Sequence, residues 1–513
     1  MNKIKNIYWE RVNLHLVFEE EVSGQVYLLD KKASKHLLLY KGNDVVINIT
    51  NVTNGDMIEA GEFTLYIDDN KVYVSNELIA ELDDLSRFFK YKSNQYALLI
   101  ELCINEDKSF YFNSDYMMKN RKYKKLSRFE QNKNFFDVIK YVLEKILVFG
   151  IGFLYRILRV FKMKRKNPVV LFFSEDNAEP AGNLAKLYEY FKTIDNVIVK
   201  GCFFDRYGLK GAFEIIKAVA FISFSDVIVL DNYALTLNLF ELSPKQRVVQ
   251  LWHAGVGFKS IGYPRFGKKG GPHPFKSSHR KYDLAIVDDE RLIDIYSEVF
   301  ARPASIFKPL GMPRLENYLA KSTINEKTEY LYKKNNDLKI KKVILFSPTF
   351  RGVTADEAYY DYNVLNLSEI YKFCKDNCFV FVIKMHPFIK EKISIPEEFK
   401  SCILDYSDFD INDLIYIADI MITDYSSCAY EFSFFNRPLV FFRYDKEVYE
   451  YLRPVHTLDV FTKQQYEVKN FDELMNVCEN LKSVSIENRF LDVVNRKDLC
   501  CEDISREILG LVQ

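Results

Sequence analysis

From Asn167 onward, short apolar runs alternate with stretches whose apolar residues recur at helical spacing. Runs that are apolar at nearly every position indicate strands buried on both faces, as in parallel sheets covered by helices. A first series of strands is predicted at 169–173, 197–204, 227–230, 248–251 and 284–287. A second series is predicted at 343–346, 379–383, 402–404, 420–422 and 439–442. The break at 309–314 therefore predicts two doubly wound α/β lobes, 167–320 and 321–513, with a ligand cleft between them.

The first 115 residues follow a different pattern. Short runs rich in β-branched and aromatic residues are separated by turn sequences such as Asn54-Gly55-Asp56. Strands are predicted at 25–29, 45–49, 63–67, 71–74, 96–100 and 109–112. Closely spaced strands without long helical patterns indicate a small β-rich domain at 1–115. No constellation of catalytic residue types occurs in it.

Residues 116–166 separate this domain from the two lobes. A polar, basic stretch at 117–132 reads as a linker, and the apolar run at 146–155 carries no charge. Ten apolar residues fall short of the roughly 20 that cross a bilayer. Because basic residues follow this run, the pattern favours an amphipathic helix at a membrane interface, attracted to an anionic surface. The alternative is a helix packed against the lobes.

Composition narrows the functional classes. The 71 basic and 71 acidic side chains balance, so bulk charge gives no reason to expect nucleic acid as a partner. Nine cysteines are scattered without paired metal-binding spacing, which argues against zinc and fits reduced thiols. The N-terminal sequence lacks the apolar stretch of a signal peptide. These features are typical of a cytoplasmic protein.

Polar residues follow four of the predicted strands at their carboxyl ends, where α/β proteins bind ligands. They are His253 after the first-lobe strand at 248–251, and then Thr349, Arg351, Lys384, His386, Thr423, Ser426 and Ser427 after three second-lobe strands. Histidine suits proton abstraction near neutral pH. Arginine, lysine and hydroxyl groups suit phosphate oxygens. The strand ends therefore predict transfer of a phosphate-containing group.

The turn 423–427 allows two interpretations, since its hydroxyls are good helix caps and also good phosphate ligands. Lys259 and Lys384 are further candidates for phosphate or acceptor contacts. No Walker-type loop or kinase signature occurs, and the pair Asp288-Asp289 reads as an acidic turn rather than a metal site. No cofactor or metal is predicted.

Five motifs together resemble the CDP-glycerol glycerophosphotransferase family, which includes teichoic acid primases and polymerases. They are QLWHAGVGFKSIG (250–262), LGMPRLE (310–316), ILFSPTFRG (344–352), IKMHP (383–387) and ADIMITDYSSCAYEFSFFNRPLVFFRYD (418–445). Their order and spacing also fit, and the resemblance covers about 168–480.

The resemblance implies a GT-B enzyme attached peripherally to the cytoplasmic face of the membrane. Such an enzyme moves glycerol phosphate or ribitol phosphate from CDP-glycerol or CDP-ribitol to a lipid-linked teichoic acid or capsule-type polymer, releasing CMP. His253 and His386 match the family's catalytic histidines, and either could be the base. Matches to donor-binding positions are Thr349, Arg351, Thr423, Ser426 and Ser427.

Two alternatives stay open at this stage. A GT-B glycosyltransferase that uses a nucleotide sugar would share the fold and the anion-binding turn. A non-catalytic, membrane-bound assembly protein is suggested by a departure from the family, because Ala254-Gly255 stands where polymerases commonly have Gly-Thr. A second departure lies after Asp445, where His456 is expected to be a surface residue.

Overall fold

The structure is a computed structural model that describes residues 2–38, 40–52, 55–91, 96–116, 135–162, 165–206, 208–254, 260–268, 271–315, 321–352, 355–435, 437–456, 467–481 and 500–512. The predicted linker at 117–132 and Lys259 lie outside these residues.

The N-terminal domain contains two β-sheets, which confirms the predicted β-rich region. One sheet has the order β5-β6-β2-β1-β9, and the other has the order β10-β11-β12-β7-β3-β4, with β8 paired to β7. Inward residues from both sheets share a single core. The elements are β1 Lys3–Glu10, β2 Asn13–Phe18, β3 Val26–Asp30, β4 Lys35–Leu37, β5 Tyr40–Lys41, β6 Asp44–Asn48, β7 Gly61–Ile67, β8 Asn70–Lys71, β9 Tyr73–Val74, α1 Asn76–Ile79, α2 Leu82–Leu85, β10 Arg87–Tyr91, β11 Tyr96–Ile104 and β12 Phe110–Tyr116.

Specific polar contacts attach this domain to the first lobe. The Arg11 guanidinium forms a two-point ion pair with Glu298, at 2.8 and 2.9 Å. Arg280 of the first lobe donates to the backbone carbonyls of Thr50 and Gly55. His456, expected at the surface, is instead buried near Arg11 and Glu298, and desolvation lowers its pKa to about 4. That expectation was wrong because the β-domain covers this part of the second lobe.

The first lobe is a seven-stranded sheet of order β14-β15-β13-β16-β17-β18-β19, parallel except for its edge strand β14. Strands β13, β16 and β18 are buried along their whole length where the pattern predicts them, whereas the predicted strand β15 is only half-buried and exposes Lys200. The elements are α3 Phe135–Val160, β13 Val169–Ser174, β14 Asp176–Asn177, α4 Gly182–Phe191, β15 Ile198–Asp205, α5 Gly208–Phe224, β16 Val227–Leu230, β17 Arg247–Gln250, β18 Leu284–Val287, α6 Ile293–Phe300 and β19 Phe307–Pro309.

The second lobe is a six-stranded parallel sheet of order β22-β21-β20-β23-β24-β25. Its chain order reverses between β20 and β23, which is the topological switch point where doubly wound sheets bind ligands. The elements are α7 Lys321–Lys334, α8 Asp337–Ile340, β20 Lys342–Phe346, α9 Leu367–Asn377, β21 Phe379–Ile383, β22 Ile403–Asp405, α10 Ile411–Ile417, β23 Ile420–Thr423, α11 Cys428–Ser433, β24 Leu439–Phe442, α12 Lys446–Leu452, β25 Glu467–Val468, α13 Phe471–Leu481 and α14 Cys500–Gly510.

The last helix corrects one predicted boundary. The sequence interpretation assigned all of 321–513 to the second lobe, but α14 packs on the first lobe. Cys501, Ile504 and Ile508 share a core with Phe172 of β13 and Leu184 of α4. The chain therefore returns to the first lobe, where the apolar face of α14 is buried. The periodicity of the sequence predicts an apolar face but not the lobe that covers it.

Helix α3 lies against the first lobe with one face and exposes the other. Ile151 and Tyr155 are buried in the lobe's core, and the Arg159 guanidinium donates to the carbonyls of Ser223 and Ser225 at 2.9 Å. Large apolar side chains on the opposite face are exposed, among them Ile146, Leu147, Phe149, Phe153, Ile157 and Val160. The helix thus packs against the lobe, as the alternative interpretation expects, and keeps an apolar face outside. Its attachment to a membrane stays a prediction. None of the helices in the described part of the chain has the length and apolar character needed to cross a membrane.

Candidate active site

One cavity of about 1150 Å³ lies where the two lobes meet. Five of the predicted site residues line it: His253, Thr349, His386, Ser426 and Ser427. They come from the carboxyl ends of β17, β20, β21 and β23, so the structure brings together the four strand ends that the sequence singled out.

His253 is positioned by the strand ends around it. Its Nδ1 lies 3.2 Å from the backbone carbonyl oxygen of Asp231, directly after β16. Because a carbonyl only accepts hydrogen bonds, this contact places the proton on Nδ1 of the neutral ring. The lone pair is then on Nε2. This tautomer is suited to accepting a proton from a substrate hydroxyl.

The backbone of Trp252, directly before His253, is held in one conformation by hydrogen bonds. It adopts a left-handed conformation with φ of 48°, and its N–H donates to the side-chain oxygen of Gln250 at 2.8 Å. The Asn183 amide donates to its carbonyl. A non-glycine residue in this conformation needs such support, so the turn before His253 is held by contacts on both sides.

His386 has the opposite hydrogen-bonding arrangement. Its Nδ1 accepts from the backbone N–H of Phe388 at 3.2 Å, which places the proton of the neutral ring on Nε2. The ring packs between Phe350 and Phe388, with centroids 4.7 Å from each. His386 is therefore arranged as a hydrogen-bond donor, whereas His253 is arranged as an acceptor.

The hydroxyl turn after β23 is supported from behind by Asp424. Its Oδ1 accepts from the backbone N–H groups of Thr349 and Tyr425, and its Oδ2 accepts from Arg351 at 2.7 Å. The Asp424 side chain is not among the groups that line the cavity. Ser426 and Ser427 remain on the cavity side.

Thr349 adds a third hydroxyl to this wall of the cavity. Its Oγ1 is buried and has no hydrogen-bond partner among the described residues. Leaving a buried hydroxyl unsatisfied is costly. The three hydroxyls together can donate to the oxygens of a phosphate group.

Three predicted contacts are corrected by the structure. The Arg351 side chain is only about 5% exposed and binds Asp424, both oxygens of Asp445 and the Thr349 carbonyl, away from the cavity. Thr423 donates to the carbonyl of Ser347 and is fully buried. The Lys384 ammonium donates to the carbonyls of Ser407 and Met385. Each of these polar groups is satisfied within the second lobe, and none of the three is among the residues that line the cavity.

Asp231 was missed, although it follows a strand end like the other candidates. Its carbonyl holds His253, and its buried carboxyl accepts from the backbone N–H of Leu184 at the start of α4. Desolvation raises the pKa of this carboxyl to about 7. Searching for polar residues at the carboxyl end of β16, as was done for the other strands, would have found Asp231.

The shifted pKa of Asp231 predicts a pH dependence of stability. The unfolded chain ionises this carboxyl near pH 4, whereas the folded protein keeps it protonated up to about pH 7. Stability contributed by the neutral carboxyl is therefore complete below about pH 4 and is lost as pH rises to 7, by at most about 4 kcal/mol. Asp231→Asn stays neutral and should lack this loss. The test compares the free energies of unfolding of wild type and variant at pH 5 and pH 8; an equal difference at both would contradict it.

Contacts across the lobe boundary hold the two walls of the cavity together. Arg314, near the start of the connection between the lobes, pairs with Glu431 of α11, and the Tyr430 hydroxyl donates to Asp288 after β18. Tyr296 of α6 donates to the carbonyl of Ala254, directly after His253, at 2.5 Å. Because α11 follows the hydroxyl turn, these contacts connect that turn and the segment after His253 to one buried interface.

Two doubly wound lobes with a cleft at their strand ends define the GT-B class, as predicted. The chain matches the family described as CDP-Glycerol:Poly(glycerophosphate) glycerophosphotransferase over residues 154–502 and belongs to that family. The resemblance seen in the five motifs is thereby confirmed.

Curated relatives agree with this family. The chain is 30% identical over 402 residues to the teichoic acid ribitol-phosphate polymerase TarL of Staphylococcus aureus, covering 75% of this chain and 67% of the relative. It is 33% identical over 303 residues to the teichoic acid poly(ribitol-phosphate) polymerase of Bacillus spizizenii, covering 58% and 48% respectively. The matches thus span about half to two thirds of these relatives' length.

A solved structure supports the fold. The wall teichoic acid polymerase TagF superimposes with a TM-score of 0.53 and 19% identity, covering 74% of this chain and 97% of that one. At this level of identity the similarity concerns the arrangement of the lobes and not the substrate.

Proposed function

We propose that this protein transfers glycerol phosphate or ribitol phosphate from a CDP-alditol to a lipid-linked teichoic acid or capsule-type polymer and releases CMP. The observation that carries the proposal is the pairing of His253 and His386, with opposite tautomers, beside three hydroxyls in one cavity. The family, and relatives that are ribitol-phosphate polymerases by name, support the same chemistry.

The proposed mechanism gives each histidine a separate role. Nε2 of His253 takes the proton of the acceptor hydroxyl, whose oxygen attacks the phosphorus that bears the alditol. A new P–O bond forms to the acceptor while the P–O bond to CMP breaks. Nε2–H of His386 donates a hydrogen bond to the phosphate oxygens on which charge develops. CMP leaves with the electron pair of the broken bond.

The hydroxyl wall holds the donor during this step. Thr349, Ser426 and Ser427 donate to the oxygens of the donor's pyrophosphate, which fixes the reacting phosphorus relative to both histidines. Arg351 contributes through Asp424, since the ion pair sets the position of the turn that carries the two serines.

The donor is identified by measuring CMP release from purified protein with a lipid-linked acceptor. CDP-glycerol and CDP-ribitol are compared with UDP-sugars and a CDP-sugar. The proposal expects acceptor-dependent CMP release with at least one CDP-alditol and no transfer from any nucleotide sugar. Transfer only from a nucleotide sugar would instead establish a glycosyltransferase, and binding without turnover of any donor would establish the non-catalytic alternative.

We also infer that the protein attaches peripherally to the cytoplasmic face of the membrane through α3. Val160 is 82% exposed, and Phe161 beside it is 69% exposed. Arg165 and Lys166 follow at the same end and are exposed, although Arg159 and Lys162 are used in contacts within the lobe. Apolar side chains beside free basic groups match a helix that lies at an anionic lipid surface.

Replacing exposed apolar residues of this face is expected to weaken vesicle binding. The triple variant Ile146→Ser, Val160→Ser, Phe161→Ser should bind vesicles with anionic lipid at least about 10-fold more weakly, because apolar area no longer enters the interface. The matched control Leu37→Ser, Ile340→Ser, Val448→Ser removes equally exposed apolar groups elsewhere and should bind as wild type does. Equal binding of both triple variants in sedimentation would show that α3 is not the attachment site.

A further inference from the structure

The cavity extends beyond the catalytic residues to helix α3. Val148, Phe149 and Phe153 of this helix line the cavity together with the histidines and hydroxyls. Phe149 and Phe153 also belong to the exposed apolar face of α3. The cavity lining therefore combines polar residues with an apolar part that is continuous with the surface inferred to meet the membrane.

Two cationic side chains also line the cavity. The charged side chains that line it among the described residues are Arg156 of α3, Lys276 of the loop after Gly271, and Glu241. Glu241 lies 3.6 Å from the Lys281 ammonium, which compensates its charge. Neither Arg156 nor Lys276 forms an ion pair with a described residue. The cavity lining thus carries an excess of positive charge.

Helix geometry places Arg156 on the same stripe as the apolar wall. Residues 149, 153 and 156 are related by steps of four and three, so their side chains lie on one face of α3. Arg156 is about 10 Å along the axis from Phe149, at 1.5 Å per residue. Along this face of the helix, two phenylalanines are followed by a guanidinium within two helical turns. This order of apolar and cationic groups complements an apolar chain that ends in a phosphate.

We propose that Arg156 and Lys276 bind the phosphate at the lipid end of the acceptor, a phosphate or diphosphate ester of an apolar chain. The chain then lies along Phe149 and Phe153, and the hydroxyl end of the acceptor points to His253. This inference rests on the proposed function, since it names how the acceptor of that reaction is held. Arg156 supplies paired N–H donors for phosphate oxygens, and Lys276 supplies a compact charge from the loop after Gly271.

Direct binding tests this site without relying on turnover. The probe is farnesyl diphosphate, which carries an apolar chain and phosphates but no alditol, titrated into the full-length protein by calorimetry. Farnesol and inorganic diphosphate serve as half-probes. The site predicts that farnesyl diphosphate binds more tightly than either half, and that Arg156→Gln, Lys276→Gln weakens it at least 10-fold. The control Lys217→Gln, Lys245→Gln removes the same charge from the same lobe outside the cavity and should bind the probe as wild type does.

Kinetics with the lipid-linked acceptor give the second readout. The double variant should raise the KM for that acceptor at least 10-fold and leave the KM for the CDP-alditol within about twofold. Unchanged probe binding, or a rise in the donor KM alone, would overturn the acceptor site. A wild-type protein that binds the probe but turns over no CDP-alditol would refute the proposed function and leave the lipid phosphate site standing.

Discussion

Replacing His253 with asparagine is expected to lower kcat for alditol phosphate transfer by about 10³-fold, within the range for a lost general base. The asparagine amide can still donate to the Asp231 carbonyl, so the turn keeps its shape, but no group remains to take the acceptor's proton. The KM for the CDP-alditol should stay within about threefold of wild type, because the hydroxyl wall that binds the pyrophosphate is intact. The measurement is steady-state CMP release.

The comparison with His386 separates the two histidine roles. Glutamine at 386 can place an N–H donor near the position of Nε2 and should be milder than alanine, whereas asparagine and alanine at 253 should be equally damaging, since neither accepts a proton. His36→Asn, in the β-domain, serves as the control for a histidine change far from the cavity. If His253→Asn retained more than a tenth of the activity, or if His386→Gln were as damaging as His386→Ala, the assignment would be wrong.

Replacing Arg351 with methionine is expected to destabilise the second lobe by about 3–5 kcal/mol, the usual cost of removing one partner of a buried ion pair. Arg351 neutralises Asp424 and Asp445, and both carboxylates would be left without their partner. The turn carrying Ser426 and Ser427 would lose its support. Activity should therefore fall together with the folded fraction, as measured by chemical unfolding.

A compensating variant tests the same ion-pair network. Arg351→Met, Asp424→Asn, Asp445→Asn removes all three charges and should recover a substantial part of the lost stability, because no uncompensated carboxylate remains buried. If Arg351 instead contacts the donor, as its match to a donor-binding position implies, the single variant should behave differently. Arg351→Met with wild-type stability but a greatly raised KM for the CDP-alditol would show that the guanidinium contacts the donor after all.

Much of the fold could be predicted because buried parallel strands are apolar at nearly every position. The runs ending before His253 and His386 were located to within a residue or two, and the strand-end rule then placed both histidines in one cleft. Two inner strands of the N-terminal domain were harder to find. β1 and β2 of the N-terminal domain, at 3–10 and 13–18, carry charged and amide residues among the apolar ones and were missed.

The roles of Thr349 and Arg351 could not be separated by sequence. They stand two residues apart in one motif, yet Thr349 lines the cavity and Arg351 is buried behind it. The difference comes from Asp424 and Asp445, which lie more than 70 residues away in the chain and meet Arg351 only in the folded lobe. Residues in a loop do not follow the regular spacing of a helix or a strand, so the sequence does not show which of the two side chains faces the cavity.

The most direct test of the central claim is the mass of a lipid-linked acceptor after incubation with wild-type protein and a CDP-alditol. We expect the acceptor to gain one or more glycerol phosphate or ribitol phosphate units, with one CMP released per unit. With His253→Asn we expect no gain in the same time. An acceptor that gains hexose from a nucleotide sugar and never an alditol phosphate would contradict it.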